Sequence, residues 1–302
     1  MRDGDGKSDV AAVDALPSGV RAVAAGNASA MTGPGTTTYL LGDTEIAVID
    51  PGPDDPAHLQ AILAALPPGA RVTAILVTHP HLDHSALAPA LAHATGAPVQ
   101  AFGPAGSGRT ALMRRLAAEG LQGGGEGVDH GFRPDLTLAE GDRVTGAGWA
   151  LEVLHMPGHM GEHLCFAWGD VLFSGDHVMG WAPSLVSPPE GDMGAYMAGL
   201  ARLQARDWRL MLPTHGPAIR DPAARLAELV AHRRGREAQI LAAVRAGAED
   251  LAQITARAYP GLAAALLPAA SRNALAHLVD LAERSLITAE PLPLPQARFR
   301  PA

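Results

Sequence analysis

Apolar residues gather into short runs along this chain, and several of the runs end in an unusual set of side chains. Arg71 to Val77 is an apolar run of the kind a buried strand carries, and it opens into Thr78-His79-Pro80-His81-Leu82-Asp83-His84. Trp149 to His155 reads as a strand leading into Pro157-Gly158-His159. Asp170 to Phe173 leads into Ser174-Gly175-Asp176, and Leu210 to Leu212 into Pro213-Thr214-His215-Gly216. Each run places a metal-ligand side chain just past the carboxyl end of a strand, where α/β architectures gather their sites. Glycine beside the ligand lets the backbone turn sharply there. Leu164 to Trp168 reads as one more strand, with Cys165 as a buried, inert thiol inside it.

Helical spacing marks other stretches. A helix is predicted over Ser85 to Thr95. From Asp221-Pro222, a cap followed by proline at the first helical position, a long helical pattern continues to Gly247. Two shorter helices come next, Asp250 to Tyr259 and Ser271 to Leu286, the second with Leu275, Leu278, Val279 and Ala282 at helical spacing. An extended tail with Pro291, Pro293 and Pro295 closes the chain. The long loop from Gly103 to Arg133 contains Gly123-Gly124-Gly125-Glu126-Gly127 and reads as flexible; it lacks the lysine and strand-to-helix setting of a phosphate loop. Trp181 to Met193 directly follows Asp176, which makes Trp181 and Ser184 candidate pocket residues. His163 and His177 lie close in sequence to the ligand candidates and are candidates to orient a ligand or a substrate.

His79-x-His81-x-Asp83-His84 packs four ligand side chains into six residues. An extended chain alternates faces, so His79 and His81 point one way, while Asp83 and His84 begin a helix and aim at a second point. That geometry suits two neighbouring metal ions. Imidazoles with a few carboxylates favour zinc, with manganese or iron served by the same ligand types. Two ions about 3.5–4 Å apart share a water, lower its pKa and leave positions open for a substrate oxygen, so the expected reaction is metal-assisted hydrolysis by a bridging hydroxide. Closed structural zinc sites favour four cysteine-rich ligands. Here none of the candidates is cysteine.

These residues resemble the metallo-β-lactamase superfamily, whose hallmark is His-x-His-x-Asp-His followed by isolated His, Asp and His ligands. Gly35 to Leu40 and Val48-Ile49-Asp50-Pro51-Gly52 are similar to its opening hairpin. The resemblance implies an α/β fold, an αββα sandwich, with one metal held by His79, His81 and His159. The second would be held by Asp83, His84 and His215, with Asp176 bridging the pair and Asp83 and Asp176 as the carboxylates on which catalysis depends. The Asp83-His84 pair and Asp176 look like the dinuclear arrangement of glyoxalase II, whereas secreted β-lactamases of this fold carry cysteine in place of Asp176; antibiotic hydrolysis is therefore not expected. Met160 departs from the threonine more often found there. The stretch from His232 to Leu241 and the helices after it resemble the branch containing a lactamase-like endoribonuclease with a small winged-helix appendage. The resulting division is a flexible N-terminal tail (1–18), a catalytic domain (19–231) and a winged-helix-like domain (232–302).

Composition narrows the function. With 47% hydrophobic and 18% charged residues, the chain is an ordinary globular protein. The charged start lacks a secretory apolar stretch and no segment reaches membrane-spanning length, so the expected location is the cytoplasm, with no membrane partner. Nine of the 23 basic residues but only six of the 31 acidic ones lie in 231–302, which leaves the catalytic body acidic. Lys7 is the only lysine. Nucleic-acid binding draws on clustered Lys and Arg, so the favoured substrate is a small-molecule or carrier-bound thioester or ester. Single-stranded RNA cleavage is the alternative, drawing on Arg233, Arg234, Arg236 or Arg272, although the arginines at 233–236 read equally as a solvated helix face. A non-catalytic metal sensor or scaffold is a distant third. The expected role of the appendage is to cover one side of the active-site cleft.

Overall fold

The computed structural model describes residues 16–123 and 127–302. Most of the expected N-terminal tail, and Gly124 to Glu126 of the glycine run, lie outside the described residues. The first sheet takes its strands in chain order: β1 (Val20–Ala24), β2 (Thr37–Leu41), β3 (Glu45–Ile49), β4 (Arg71–Leu76), β5 (Val99–Ala101) and β6 (Leu136–Thr137). It is antiparallel from β1 to β3 and parallel from β3 to β6. The second sheet contains β7 (Arg143–Gly146), β8 (Trp149–His155), β9 (Leu164–Trp168), β10 (Val171–Gly175) and β11 (Leu210–Pro213), in the order 11-10-9-8-7. Only β10 and β11 run parallel there.

Side-chain alternation explains why the sheets stack. Tyr39, Leu41, Ala47, Ile49 and Leu76 meet Leu151, Val153, Phe166, Phe173 and Leu212 in the inter-sheet core. Their neighbours Leu40, Ile46, Val48 and Ile75 point the other way, onto α1 (Pro56–Ala64) and α3 (Ala88–Thr95). On the far side Leu154, Cys165, Leu172 and Met211 pack beneath helices later in the chain, α5 (Met193–Gln204) and α6 (Pro222–Arg245). Both faces of both sheets are thus buried, giving an αββα sandwich. Burial also raises the Cys165 thiol well above its ordinary pKa.

Two helices differ from the sequence expectation. The helix predicted over Ser85 to Thr95 is broken into α2 (Leu82–Ser85) and α3. Pro89 has no N–H to continue the ladder, and the Leu87 N–H donates instead to Gly52 O at 3.0 Å. The helix expected from Ser271 begins earlier, as α8 (Leu267–Glu283), because Pro268 is tolerated in a first turn. Asp221 caps α6 and Asp250 caps α7 (Leu251–Ala258), each side chain accepting a backbone N–H of the first turn.

The expected extended tail is a hairpin of β12 (Ile287–Glu290) and β13 (Arg298–Pro301), which completes a helix-helix-wing unit with α7 and α8. Its core holds Ile254, Leu275, Leu278, Leu281 and Phe299. Met113 and Leu116 join it from α4 (Ala111–Ala118), so the loop read as flexible carries a helix packed against this unit. The boundary expected between 231 and 232 falls inside α6. Leu226, Leu229 and Val230 of that helix pack on the second sheet, while Ile240 and Val244 belong to the terminal core. No helix among the described residues is long and apolar enough to cross a membrane.

Candidate metal centre

The carboxyl ends of β4, β8, β10 and β11 meet at one edge of the sandwich. There His79, His81 and His159 bring ring nitrogens together: His79 Nε2 lies 2.8 Å from His81 Nδ1, which lies 3.2 Å from His159 Nε2. Beside them, His215 Nε2 is 3.1 Å and His84 Nε2 3.8 Å from the two oxygens of Asp83. Asp176 Oδ2 stands between the sets, 3.7 Å from His84, 3.9 Å from His159 and 3.6 Å from His215. Three overlapping groups are therefore capable of holding a metal: His79, His81 and His159; Asp83, His84 and His215; and His79, His84 and Asp176. The seven candidates from the sequence all come together here.

The surrounding hydrogen bonds aim these nitrogens. His159 Nδ1 donates to Leu185 O at 2.6 Å, His84 Nδ1 to Asp50 Oδ2 at 2.9 Å and His215 Nδ1 to Gly35 O at 3.2 Å. The Thr78 hydroxyl donates to Asp50 at 2.9 Å and accepts from His79 Nδ1 at 3.0 Å. With Nδ1 carrying the proton, Nε2 of each of these four rings presents a lone pair inward, the tautomer a ligating histidine needs. His81 turns Nδ1 inward instead.

Electrostatics favour a cation at this point. Burial, then the neighbouring imidazoles, lower the pKa of His79 well below its usual value, and burial and His159 take His81 to about 3, so both are neutral near pH 7. Burial disfavours charge on Asp83, but His84 and His215 outweigh it and hold the carboxyl at about 2. Asp176 is lowered well below the carboxylate range in the same way, against burial. Conversely, burial opposes a cation on His84, yet Asp83, Asp50 and Asp176 together raise it well above the usual value. A pocket whose carboxylates are held ionised and which draws protons onto adjacent imidazoles prefers to contain positive charge. The buried His84 Nε2 and Asp176 Oδ1 have no protein hydrogen-bond partner among the described residues, so the donor set fits divalent metals.

Glycine matters at two of the strand ends. Gly175 has φ +52°, and an added Cβ would lie 2.7 Å from His163 Nε2; Gly216 has φ +86°, with Trp181 Cδ1 2.4 Å away. The Asp176 N–H donates to that His163 nitrogen at 3.0 Å, which makes His163 the support beneath Asp176. Trp181 packs over Gly216 and lines the cavity above the cluster. Ser184 does not reach that cavity: it is fully buried, and its hydroxyl donates to the backbone oxygens of Asp176 and His177. The His177 ring lies against Tyr196, with centroids 4.9 Å apart, and neither nitrogen has a partner among the described residues. It makes no hydrogen bond to a ligand.

Asp50 is the residue that sequence reasoning passed over. It is fully buried at the end of β3 and accepts from the Thr78 N–H, the hydroxyls of Thr78 and Thr214, and His84. The signal was present, since Asp50 follows an apolar strand just as His79 and Asp176 do. Arg233 was also misplaced. It is buried, not solvated, with its guanidinium 5.0 Å over the Tyr196 ring, bonded to Ser184 O and to Asn273 Oδ1. Arg236 stacks at 3.8 Å on Tyr259, and Arg272 donates to Ser187 Oγ and to the carbonyls of Gln122 and Pro188.

A cavity of about 310 Å³ opens above the cluster, with His81, Asp83, His159, Asp176 and His215 as its floor. Leu266, Ala269 and Asn273, from the start of α8 and the residue before it, form part of its wall, so the terminal unit does cover one side of the cleft. Among the described residues, no lysine or arginine lines it.

Comparison with known proteins agrees with this architecture. The family model described as Metallo-beta-lactamase superfamily matches residues 31–223, and that described as Beta-lactamase associated winged helix domain matches residues 251–291. Atrochrysone carboxyl ACP thioesterase AgnL7 of Paecilomyces divaricatus is 30% identical over 72% of this chain and 62% of its own length. The chain spans just under two thirds of the length of the lactamase-like relatives it matches from Aspergillus niger and Emericella nidulans, 66% and 63%. A beta-lactamase domain protein from Burkholderia ambifaria superposes with a TM-score of 0.77 at 25% identity, covering 96% of each chain. A protein solved in a di-iron-bound form superposes with a TM-score of 0.50 at 29% identity, over 66% of this chain and 96% of that one.

Proposed function

The chain belongs to the metallo-beta-lactamase superfamily, and from that premise we propose that it is a dinuclear metal-dependent hydrolase of thioesters or esters. The observation that carries this reading is the convergence of seven ligand side chains, five of them on the floor of a cavity that no lysine or arginine among the described residues lines. His79, His81 and His159 would hold one ion and Asp83, His84 and His215 the other, with Asp176 between them; zinc suits this donor set, and iron or manganese are served by the same atoms. When bound, such a pair acidifies a shared water to supply a nucleophile and polarises a substrate oxygen.

The protein's own part is positioning. Asp50, Leu185 O and Gly35 O fix the tautomers of His84, His159 and His215, His163 accepts from the Asp176 N–H, and Ser184 donates to the Asp176 carbonyl. Residues 19–231 provide the cluster, and 232–302 close the cavity, with α6 common to both. A carrier-bound substrate is supported by the relative named an ACP thioesterase. The RNA alternative loses support because Arg233, Arg236 and Arg272 are engaged inside the protein, which leaves Arg234 as the exposed member of that group.

The test is a panel of acyl-carrier and small-molecule thioesters, esters and single-stranded RNA, given to metal-replete protein. Thioester or ester hydrolysis is expected, lost on chelation and reduced by orders of magnitude in Asp176→Asn. Metal-dependent, salt-sensitive RNA cleavage without thioester or ester turnover would overturn the substrate assignment.

A further inference from the structure

The cavity over the cluster has a polar floor and an apolar wall. Above the ligand side chains, the lining is Met31, Met179, Trp181, Leu185, Leu266 and Ala269, with further alanine and proline; Asn273 is the one non-floor amide. The oxygen of that amide is already committed, since Oδ1 accepts from the Val186 N–H and Arg233, and one of its two Nδ2 hydrogens donates to Ala269 O. Met31, Trp181 and Leu266, at 54%, 41% and 43% exposure, are three of the large apolar residues the protein leaves in water, and all three stand around this one opening. Clustered exposed apolar surface at a concave site marks an apolar ligand. Trp181 is a fixed wall, wedged against Gly33 and Gly216.

The two ends of a carrier-bound acyl substrate are chemically unlike. A carrier arm is rich in amides, and burying it against this wall would leave those amides unpaired; an alkyl or aryl acyl group loses nothing there. We propose that the cavity binds the acyl group of the substrate, an uncharged apolar chain of medium length or a single aromatic ring, and that Leu266 and Ala269 at the start of α8 set its length. The proposal rests on the thioester or ester reading for its substrate and adds the specificity determinants. It also gives the terminal unit a role in substrate selection: part of the pocket wall comes from the start of α8 and the residue before it, beside the sandwich residues. A volume of about 310 Å³ accommodates such a group but not a polymer strand.

The experiment compares acetyl, butanoyl, octanoyl and phenylacetyl thioesters of N-acetylcysteamine, and separately titrates octanamide, which cannot be hydrolysed as a thioester, by calorimetry. Specificity should rise about fourfold per methylene until the wall is reached, the transfer free energy of a buried methylene expressed as a ratio. Ala269→Phe should cut the octanoyl-to-acetyl ratio and octanamide affinity by about sixteenfold or more, the equivalent of at least two lost methylenes. Leu266→Ala, which removes bulk and does not depend on accommodating a larger side chain, should shift the preferred length upward. Thioester turnover with no length preference and no octanamide binding overturns the pocket and leaves the hydrolase reading standing. Octanamide binding that Ala269→Phe abolishes, with no thioester or ester turned over, does the reverse.

Discussion

His84 Nδ1 donates to Asp50 Oδ2 at 2.9 Å with both side chains fully buried, and the same oxygen accepts from the Thr214 hydroxyl at 2.6 Å. One carboxylate thus ties the ends of β3, β4 and β11 together and fixes the ring that bears Nε2 toward Asp83 and Asp176. Asp50 has φ +50°, a left-handed conformation that asparagine also adopts readily, so Asp50→Asn removes charge without straining the backbone. Outer partners of metal-ligating histidines are worth about 10–100-fold in metal affinity. A loss of that size, measured by chelator competition, is expected for Asp50→Asn, confined to the ion held by His84. Wild-type retention of both ions would show that the tie is purely structural.

The ligand set predicts metal content directly. Elemental analysis of metal-saturated protein should approach two ions per chain, and His84→Ala should lose mainly one, because His79, His81 and His159 form a group without it. Saturation of the wild type at a single ion would sink the dinuclear proposal.

The parts of this site visible in the sequence are those that one local rule reaches. A ligand-type residue past an apolar strand identified His79, Asp176 and His215, and period-2 alternation gave the strands that carry them. The rule extends to Asp50, but its role depends on Thr78 and Thr214, and 164 residues separate Asp50 from Thr214. Arg233 escaped for the same reason: its partners are the Ser184 carbonyl and the Asn273 amide, 49 and 40 residues away, and a carbonyl carries no signature in sequence. His277 has no ligand context in the sequence and reads as a surface or satisfied core residue, yet it is buried in α8 and neither nitrogen has a partner among the described residues.

That histidine has a measurable pH signature. Burial, with Arg233, Arg236, His232 and Arg284 as like charges, lowers its pKa to about 3, from an ordinary 6.5. The folded state therefore binds fewer protons than the unfolded state between these values. Its stabilising contribution is present above pH 6.5 and is lost as pH falls from there toward 3. At pH 5 the loss amounts to about 2 kcal/mol relative to pH 8. His277→Leu should lack this component, so denaturant unfolding at both pH values should show the stability difference between variant and wild type moving in favour of the variant by about that amount on acidification. A difference independent of pH would mean that His277 titrates normally.

Arg233 provides the last test, because it separates a role in holding the metal centre from one in binding an external anion. Among the described residues its guanidinium has no carboxylate partner; it holds Ser184 O and Asn273 Oδ1, and so fixes the segment whose next carbonyl, Leu185 O, orients His159. Arg233→Met retains much of the apolar bulk and removes a buried cation, at a cost of about 1–3 kcal/mol for leaving Ser184 O without this donor. Thermal unfolding should therefore move to lower temperature by that cost while metal affinity at the His159 site falls about tenfold, in the range found for lost outer partners. Arg234→Met, on the exposed face of the same helix, should change neither. If Arg233→Met binds metal as the wild type does but Arg234→Met weakens substrate binding in a strongly salt-dependent way, the helix faces an anionic partner and the internal clamp is not its function.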